Sequence, residues 1–183
     1  MNKLVLVPIA DGTEEMEAVI IIDMLRRAGA QVTIAGISDT AKCSRNVKIK
    51  SDILIDRIKD DYEFDMIAIP GGMKGVENLL ECTRLREIIE TNKGRAYLAA
   101  ICAAPLIFDR FGLLSNDVHI TSHPAVKDKF THGHYSEGTV VVSNNFITSR
   151  GAGTAFEFSL ELIDKLFGKS VAEKVADDIM FGR

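Results

Sequence analysis

The chain has 183 residues, which is enough for one domain with a substantial buried core, and we expect residues 1–183 to form a single domain. Its hydrophobic content of 46% and charged content of 26% are ordinary for a globular protein. Its net charge of −4 argues against the strongly basic surface that is typical of nucleic-acid-binding proteins.

The N-terminal residues and the cysteines indicate a cellular compartment. The first residues lead directly into an apolar strand, without the longer apolar region and the small-residue cleavage site of a signal peptide. The apolar run at 18–22 is much too short to span a membrane. The three cysteines form neither a CxxC pair nor an even disulfide framework, which favours free thiols in a reducing environment. We therefore expect a cytoplasmic protein that binds neither membranes nor nucleic acids.

Strand and helix patterns alternate along the chain. Strands are predicted at 4–9, 31–36, 66–70, 96–101, 118–121, 139–142 and 146–148, the last two as a hairpin around Ser143-Asn144-Asn145. Helices are predicted at 14–27, 76–80, 85–91, 105–111 and 171–179, and a long segment at 153–167 precedes the last of them. Short extended pieces at 43–50 and 53–55 are expected at the periphery. The alternation predicts an α/β protein with a layered sheet.

Cys102 lies at the sharpest predicted turn of the chain. It follows the apolar strand at 96–101, and Pro105 fits the first turn of the next helix, where it removes no hydrogen bond. The small neighbours Ala100 and Ala104 permit a tight strand-to-helix turn like the nucleophile elbow of hydrolases. A helix N-terminus would also favour the thiolate over the thiol. The alternative is a buried structural cysteine, since free cysteine is among the most buried residue types.

Glu17 is the acidic residue with the most unusual predicted surroundings. On a helix, it shares a face with Ile20, Ile21 and Met24, so we expect partial desolvation and a raised pKa. A protonated carboxyl at this position could donate a hydrogen bond to a nearby sulfur. The alternative is an ordinary acid in the first turn of the helix, which stabilises the helix dipole.

Gly71-Gly72 follows the predicted strand at 66–70. The pair could be a simple turn, or it could let backbone amides approach a ligand and form an oxyanion hole. In an open α/β sheet, ligands bind at the carboxyl ends of the strands. The turn after the first strand, the glycine pair and Cys102 all fall at such ends.

Histidines and arginines supply further candidates. His123 follows a predicted strand, and Pro124 fixes the chain there, so its imidazole could act as a base toward Cys102. His132-Gly133-His134 could suggest a metal site, but no clear second pair of ligands is nearby, and a solvated loop is favoured. Arg26-Arg27 and Arg45 could bind an anion, although exposed arginines usually face water.

Several motifs, in this order, resemble the ThiJ/PfpI superfamily and more narrowly its DJ-one (DJ-1) branch of protein deglycases. The motifs are Ala-Asp-Gly-Thr-Glu-Glu-Met-Glu at 10–17, Cys-Ser-Arg at 43–45, Pro-Gly-Gly at 70–72, Ala-Ala-Ile-Cys-Ala-Ala-Pro at 99–105, His123-Pro124 with Lys127-Asp128-Lys129, and Thr148-Ser149-Arg150-Gly151 with Gly153-Thr154. Together they extend over nearly the full chain.

The resemblance implies a flavodoxin-like α/β fold, which is a three-layer sandwich with a mostly parallel central sheet, and a homodimer. It implies that Cys102 is the nucleophile, that Glu17 is the protonated acid beside it, and that His123 is the nearby imidazole. The backbone amides of Gly72 and Ala103 would then stabilise an oxyanion.

The resemblance also implies a function. Arg27 and Arg45 match positions that bind anions near the cysteine in this family. Family members are described as acting, without cofactor or metal, on a small reactive aldehyde, methylglyoxal or its glycated adducts, by glyoxalase or deglycase chemistry. They are also described as oxidative-stress sensors whose cysteine becomes a sulfinate. A redox sensor or chaperone-like protein that signals through oxidation of Cys102 is therefore the alternative, and a peptidase or amidase is a more distant one.

Three positions depart from the family pattern. Ala104 stands where some members have glycine, which keeps the turn small. Lys50 stands where the animal members of this branch have a second cysteine, which puts thiol chemistry at the dimer interface in doubt. Ala103 follows the nucleophile where the protease-like branch has histidine, which weakens the peptidase interpretation because the base of that branch is missing.

Overall fold

The computed structural model describes residues 3–182, which are built around one seven-stranded sheet. The strands are β1 (Leu4–Ile9), β2 (Gln31–Gly36), β3 (Thr40–Lys42), β4 (Lys48–Lys50), β5 (Ile53–Leu54), β6 (Met66–Ile69), β7 (Tyr97–Ile101), β8 (His119–Ile120), β9 (His134–Tyr135), β10 (Val140–Ser143) and β11 (Phe146–Ser149). The α-helices are α1 (Glu15–Arg27), α2 (Met73–Leu80), α3 (Thr83–Asn92), α4 (Pro105–Arg110), α5 (Ala155–Phe167) and α6 (Lys169–Asp178).

The central sheet is mostly parallel. Its strand order is β10-β11-β7-β6-β1-β2-β5, and only β10 runs antiparallel to its neighbour. The strands in the middle of the sheet are apolar on both sides, as expected for a parallel sheet that helices cover on both faces.

Helices form the two outer layers. Side chains of α2, α3 and α4 pack on one face of the sheet, and side chains of α1, α5 and α6 pack on the other. The predicted α/β sandwich with a mostly parallel central sheet is therefore confirmed. Within residues 3–182, no helix combines the length and the apolarity that crossing a bilayer requires.

Two predicted extended pieces differ from the structure. The piece predicted as extended at 43–50 contains a turn followed by the second strand of the hairpin β3–β4. The chain turns there because Asn46 adopts a left-handed φ of 68° and its amide donates to the carbonyl of Cys43. The strand predicted at 118–121 is reduced to β8 and pairs with β9 outside the central sheet. The hairpin predicted around Ser143-Asn144-Asn145 is confirmed as β10–β11.

Candidate active site

The turns after β1, β6, β7 and β11 meet at one edge of the sheet. These four strands are neighbours in the sheet, and their carboxyl ends point the same way. The edge therefore brings together the loop that precedes α1, the glycine pair after β6, Cys102 after β7 and Ser149 at the end of β11. Such an edge is the usual ligand site of an open α/β sheet.

Cys102 occupies a strained position in the turn between β7 and α4. Its φ of 64° is left-handed, which is rare outside glycine and costs about 1–3 kcal/mol. Backbone hydrogen bonds hold the residue in this conformation: the Cys102 amide donates to the Ser149 carbonyl at 3.0 Å, and the His123 amide donates to the Cys102 carbonyl at 2.8 Å. The predicted sharp turn is confirmed, and β11 on one side and the residue before the 3-10 helix Pro124–Lys129 on the other hold it by these hydrogen bonds.

The glycine pair brings the loop before α1 against Cys102. Gly72 has a φ of 87°, which a residue with a side chain rarely adopts, and the Gly71 carbonyl accepts from the Glu14 amide at 2.9 Å. The backbone amides of Gly72 and Ala103 both act on the Cys102 sulfur and favour its charged form. These are the two amides that the family resemblance assigns to an oxyanion hole.

Glu17 lies fully buried beneath the glycine pair. Its Oε2 accepts a hydrogen bond from the Gly71 amide at 2.7 Å, while its Oε1 is buried and has no partner among residues 3–182. Burial raises the pKa of Glu17 from 4.5 to about 7, against the opposing effects of the Gly71 amide and Cys102. Desolvation is also the cause that the helix pattern indicates for the raised pKa of Glu17.

The Cys102 thiol is affected by burial and by Glu17. Burial of the sulfur, followed by the negative charge of Glu17 when that acid is ionised, raises the pKa of the Cys102 thiol, and the two nearby amides only partly offset this. The helix N-terminus alone therefore does not lower the thiol pKa, contrary to expectation, because α4 has only six residues and the sulfur is mostly desolvated. The two groups resist ionising together, so near neutral pH they share at most one negative charge.

The donors around the pair favour placing that charge on sulfur. Two amides, those of Gly72 and Ala103, face the sulfur, whereas a single amide, that of Gly71, faces the carboxylate. An ionised Glu17 would also leave its buried Oε1 without a donor. A protonated Glu17 removes the repulsion on Cys102 and can use its O–H as a donor to the sulfur.

The close fit at Gly71 gives a first test. A Cβ added at Gly71 would lie 2.6 Å from the Cβ of Cys102 and 2.9 Å from the Ile101 carbonyl oxygen, both too close for real contacts. We expect Gly71→Ala to lower the free energy of unfolding by about 1–3 kcal/mol and to slow alkylation of Cys102. Urea unfolding and iodoacetamide labelling measure the two effects.

Gly94→Ala is the matched control for this prediction. A Cβ at Gly94 meets no atom within 4 Å, and its backbone is not left-handed. The control should stay within about 0.5 kcal/mol of the parent. Equal behaviour of the two variants would show that the glycine pair does not support the site.

His123 lines the same cavity as Cys102, but its ring is engaged elsewhere. Its Nδ1 accepts from the Ala125 amide at 3.2 Å, so a neutral ring carries its proton on Nε2. The contact between His123 and Cys102 is through the backbone. The imidazole thus lines the same cavity as the sulfur, while Glu17 is the acid that interacts directly with the sulfur.

An open cavity of about 770 Å³ leads to Cys102. Its lining residues come from the loop before α1, the β3–β4 hairpin, the start of α2, the turn at Cys102 and the short 3-10 helix Pro124–Lys129. Arg45 lines this cavity with Cys102, and its binding of an anion there stays a prediction. The basic residues Lys42, Lys74 and Lys129 also line it, and only the tertiary structure reveals that they meet there.

Arg27 does not reach this cavity. It lies ten residues after Glu17 on α1, which is about 15 Å along the helix axis, and its Nε donates to Asp23 at 2.6 Å. The predicted position of Arg27 beside the cysteine is therefore wrong within one chain. The helix carries its two ends to opposite edges of the sheet.

Glu14 and Glu15 do more than stabilise the dipole of α1. Both carboxylates lie within 2.8 Å of the Ser44 hydroxyl, and Glu15 also accepts from the Arg45 amide at 2.8 Å. These hydrogen bonds outweigh burial and lower the pKa of Glu15. The two acids thus attach the β3–β4 hairpin, with Arg45, to the start of α1.

The remaining histidines and cysteines have other surroundings. His132 Nδ1 lies 3.0 Å from Asp109, and the His134 ring packs edge-on against His119. Among residues 3–182, no group of three or more His, Cys, Asp or Glu side chains is arranged to hold a metal ion. Burial raises the pKa values of the Cys43 and Cys82 thiols.

Comparisons with known proteins agree with this fold. A family model described as "DJ-1/PfpI family" matches residues 3–165. The chain is 40% identical over 180 residues to the zebrafish (Danio rerio) "Parkinson disease protein 7 homolog", covering 95% of both chains. It is 39% identical over 171 residues to the Caenorhabditis elegans "Glutathione-independent glyoxalase DJR-1.2", covering 91% of this chain and 89% of the relative. The crystal structure of Drosophila melanogaster DJ-1beta superposes with a TM-score of 0.95 at 38% identity and full coverage of both chains.

Proposed function

The chain belongs to the DJ-1/PfpI family, and on that basis we propose that it is a glutathione-independent glyoxalase whose nucleophile is Cys102. The proposal is supported by one observation above all: a cysteine held in a strained turn, next to a buried acid whose pKa is raised to about 7. A pKa near the working pH suits a group that must both hold and release a proton. The relative in C. elegans that is named a glyoxalase supports the same reaction type.

The reaction begins with addition of the Cys102 sulfur to the aldehyde carbon of methylglyoxal, which forms a C–S bond and a hemithioacetal. The developing alkoxide faces the amides of Gly72 and Ala103, which act as an oxyanion hole. A proton then moves from the former aldehyde carbon to the neighbouring ketone carbon, with Glu17 as the group that carries it, and the ketone oxygen takes up the proton that the hemithioacetal oxygen releases. His123 can assist from the cavity wall.

Proton transfer converts the hemithioacetal into a thioester of lactate. Water attacks the thioester carbon, the C–S bond breaks, and the sulfur recovers its original state. Methylglyoxal and one water give lactic acid, so no oxidant, reductant or cofactor is consumed. Adducts of methylglyoxal with amines or thiols present the same carbons, and we include their deglycation in the proposed activity.

The direct test is lactate formation from methylglyoxal by the pure protein without glutathione. We expect lactate in a one-to-one ratio to the methylglyoxal consumed. Loss of methylglyoxal without lactate would indicate simple adduct formation on lysines and arginines and would contradict the proposal.

A second candidate function rests on the same sulfur. Cys102 is partly exposed at the base of an open cavity, whereas Cys43 is almost fully buried. An accessible sulfur that can become a thiolate is susceptible to oxidation to sulfenic and then sulfinic acid, and the amides that would hold an alkoxide can hold sulfinate oxygens. Intact-mass and peptide analysis after mild peroxide would support a redox sensor if two oxygens are added selectively at Cys102 while aldehyde turnover is negligible.

The expected cytoplasmic location and chaperone-like role stay predictions.

The proposed homodimer is supported by an exposed apolar strip on α1. Met16 and Val19 are 56% and 51% exposed, lie three residues apart on one helix face, and are close in sequence to Glu17. We expect Val19→Glu to shift the protein from dimer to monomer in light scattering after size exclusion. Val142→Glu, the same change at an exposed residue of β10, should leave the dimer intact. A monomeric parent protein would contradict the proposal.

A further inference from the structure

The cavity at Cys102 carries a charge opposite to that of the whole chain. The chain has a net charge of −4, yet among residues 3–182 four basic side chains and one carboxylate line the cavity. The basic residues are Lys42, Arg45, Lys74 and Lys129, and the carboxylate is Glu14. A concave site lined mainly by one sign of charge concentrates ligands of the opposite sign.

The basic residues reach the cavity from three separate elements. Lys42 and Arg45 belong to the β3–β4 hairpin, Lys74 to the first turn of α2, and Lys129 to the end of the 3-10 helix Pro124–Lys129. The three elements that carry these residues are far apart in the sequence, so neither the spacing of one helix face nor a run of charged residues brings the four residues together. The hairpin contributes two of these residues, and α2 and the 3-10 helix contribute one each, at the sheet edge where Cys102 lies.

These basic groups are largely free to bind a ligand. Among residues 3–182, no carboxylate lies within salt-bridge distance of Lys42, Arg45 or Lys129, and Lys74 makes only an exposed pair with Glu77 at 3.5 Å. Glu14 is the one acidic lining residue, and its carboxylate accepts the Ser44 hydroxyl. The cavity therefore keeps an excess of positive charge.

The size of the cavity gives independent support. A volume of about 770 Å³ is within the range of sites that enclose drug-sized ligands. A three-carbon aldehyde would occupy only a small part of it. The remaining volume, with its basic lining, suits a larger substrate whose additional group is anionic.

We propose that the site selects carbonyl compounds that carry an anionic group, specifically 2-oxoaldehydes with a carboxylate on the carbon chain. This proposal rests on the proposed glyoxalase function and specifies its substrate class. The aldehyde carbon bonds to the Cys102 sulfur, while the carboxylate binds to Lys74, Lys129 and the hairpin cations. With 4,5-dioxopentanoate the same proton transfer and hydrolysis give 2-hydroxyglutarate, with one water consumed.

The first experiment measures charge selection at the sulfur without any turnover. Iodoacetate and iodoacetamide transfer nearly the same group to a thiol and differ in charge. We expect the ratio of their rates at Cys102, iodoacetate over iodoacetamide, to be about tenfold higher than the ratio for the uncharged thiol 2-mercaptoethanol at low ionic strength, and to fall as salt is added. A Lys74→Gln/Lys129→Gln double variant should lower the ratio toward that of 2-mercaptoethanol, and Lys169→Gln, an exposed lysine on α6, should not.

The second experiment compares turnover of 4,5-dioxopentanoate with that of the neutral 2-oxopentanal. We expect kcat/KM to be about tenfold higher for the anion, with a gain that the double lysine variant removes. Equal alkylation ratios for Cys102 and 2-mercaptoethanol would overturn the charge selection. Strong charge selection in alkylation with no turnover of either aldehyde would instead overturn the glyoxalase function, so the two failures are distinguishable.

Discussion

Replacing Cys102 by serine is expected to lower kcat/KM for methylglyoxal by about 10³-fold or more. A hydroxyl at this position has no basic neighbour strong enough to ionise it, and the oxyanion amides alone cannot form the covalent intermediate. The fold should be retained, because the substitution changes neither the backbone hydrogen bonds to Ser149 and His123 nor the volume by much. Lactate production by the purified variant measures the effect.

Cys82→Ser is the matched control for this loss. Cys82 precedes α3, is partly exposed and does not line the cavity. Its replacement should change kcat/KM by less than about twofold. Full activity of Cys102→Ser, with lactate as the product, would rule out the proposed nucleophile.

Replacing Glu17 by glutamine is expected to lower kcat/KM by about 10²–10⁴-fold. Glutamine keeps the size of the side chain and an oxygen that can accept from the Gly71 amide, but it cannot carry a proton between the two substrate carbons. Retained alkylation of Cys102 together with lost lactate formation would separate the proton-transfer role of Glu17 from its effect on the sulfur. Unchanged turnover would contradict the proton-transfer role.

The same variant should change how stability depends on pH. Burial raises the pKa of Glu17 from 4.5 to about 7, so between these values the folded protein holds a proton that the unfolded chain has released. The free energy of unfolding therefore falls as pH rises through this window, by about 3 kcal/mol from this group. Glu17→Gln removes that loss, and the variant should be more stable than the parent at pH 8 but not at pH 4.5.

Urea unfolding of both proteins at pH 4.5 and pH 8 measures the difference. Glu90→Gln, a change at an exposed acid that pairs with Lys93 on α3, serves as the control and should not alter the pH dependence. A parent protein and a Glu17→Gln variant with parallel stability curves would show that Glu17 ionises normally. That result would contradict its burial as the cause of the raised pKa.

Local patterns in the sequence single out Cys102 and Glu17, although they leave open a structural cysteine and an ordinary acid of the first helical turn, and the family resemblance is what assigns the roles. A short apolar strand before Cys102 and a proline after it define the tight turn, and an acid on the apolar face of a helix defines a desolvated carboxyl. Both signals lie within a few residues of the group concerned. For the same reason, the order of strands and helices identifies the layered α/β fold.

Contacts between distant segments are what the sequence does not provide. Lys42, Lys74 and Lys129 are ordinary exposed lysines in the sequence, and they share a cavity only because three loops end at one sheet edge. Arg27 is the reverse case. Its position in the sequence matches a family position near the cysteine, but it lies at the C-terminal end of α1, away from the cavity at the other end of that helix. The thiol pKa also depends on burial and on the charge of Glu17, which no local pattern reports.

The pH dependence of Cys102 alkylation by iodoacetamide tests most directly whether Cys102 and Glu17 work as one unit. If the pair shares one charge and the amides of Gly72 and Ala103 draw it to sulfur, the rate should reach half its maximum at or below about pH 7 and level off by pH 8. A rate that keeps rising about tenfold per pH unit up to pH 10 would mean that the sulfur stays protonated beside a charged Glu17. That profile would contradict the proposed nucleophile.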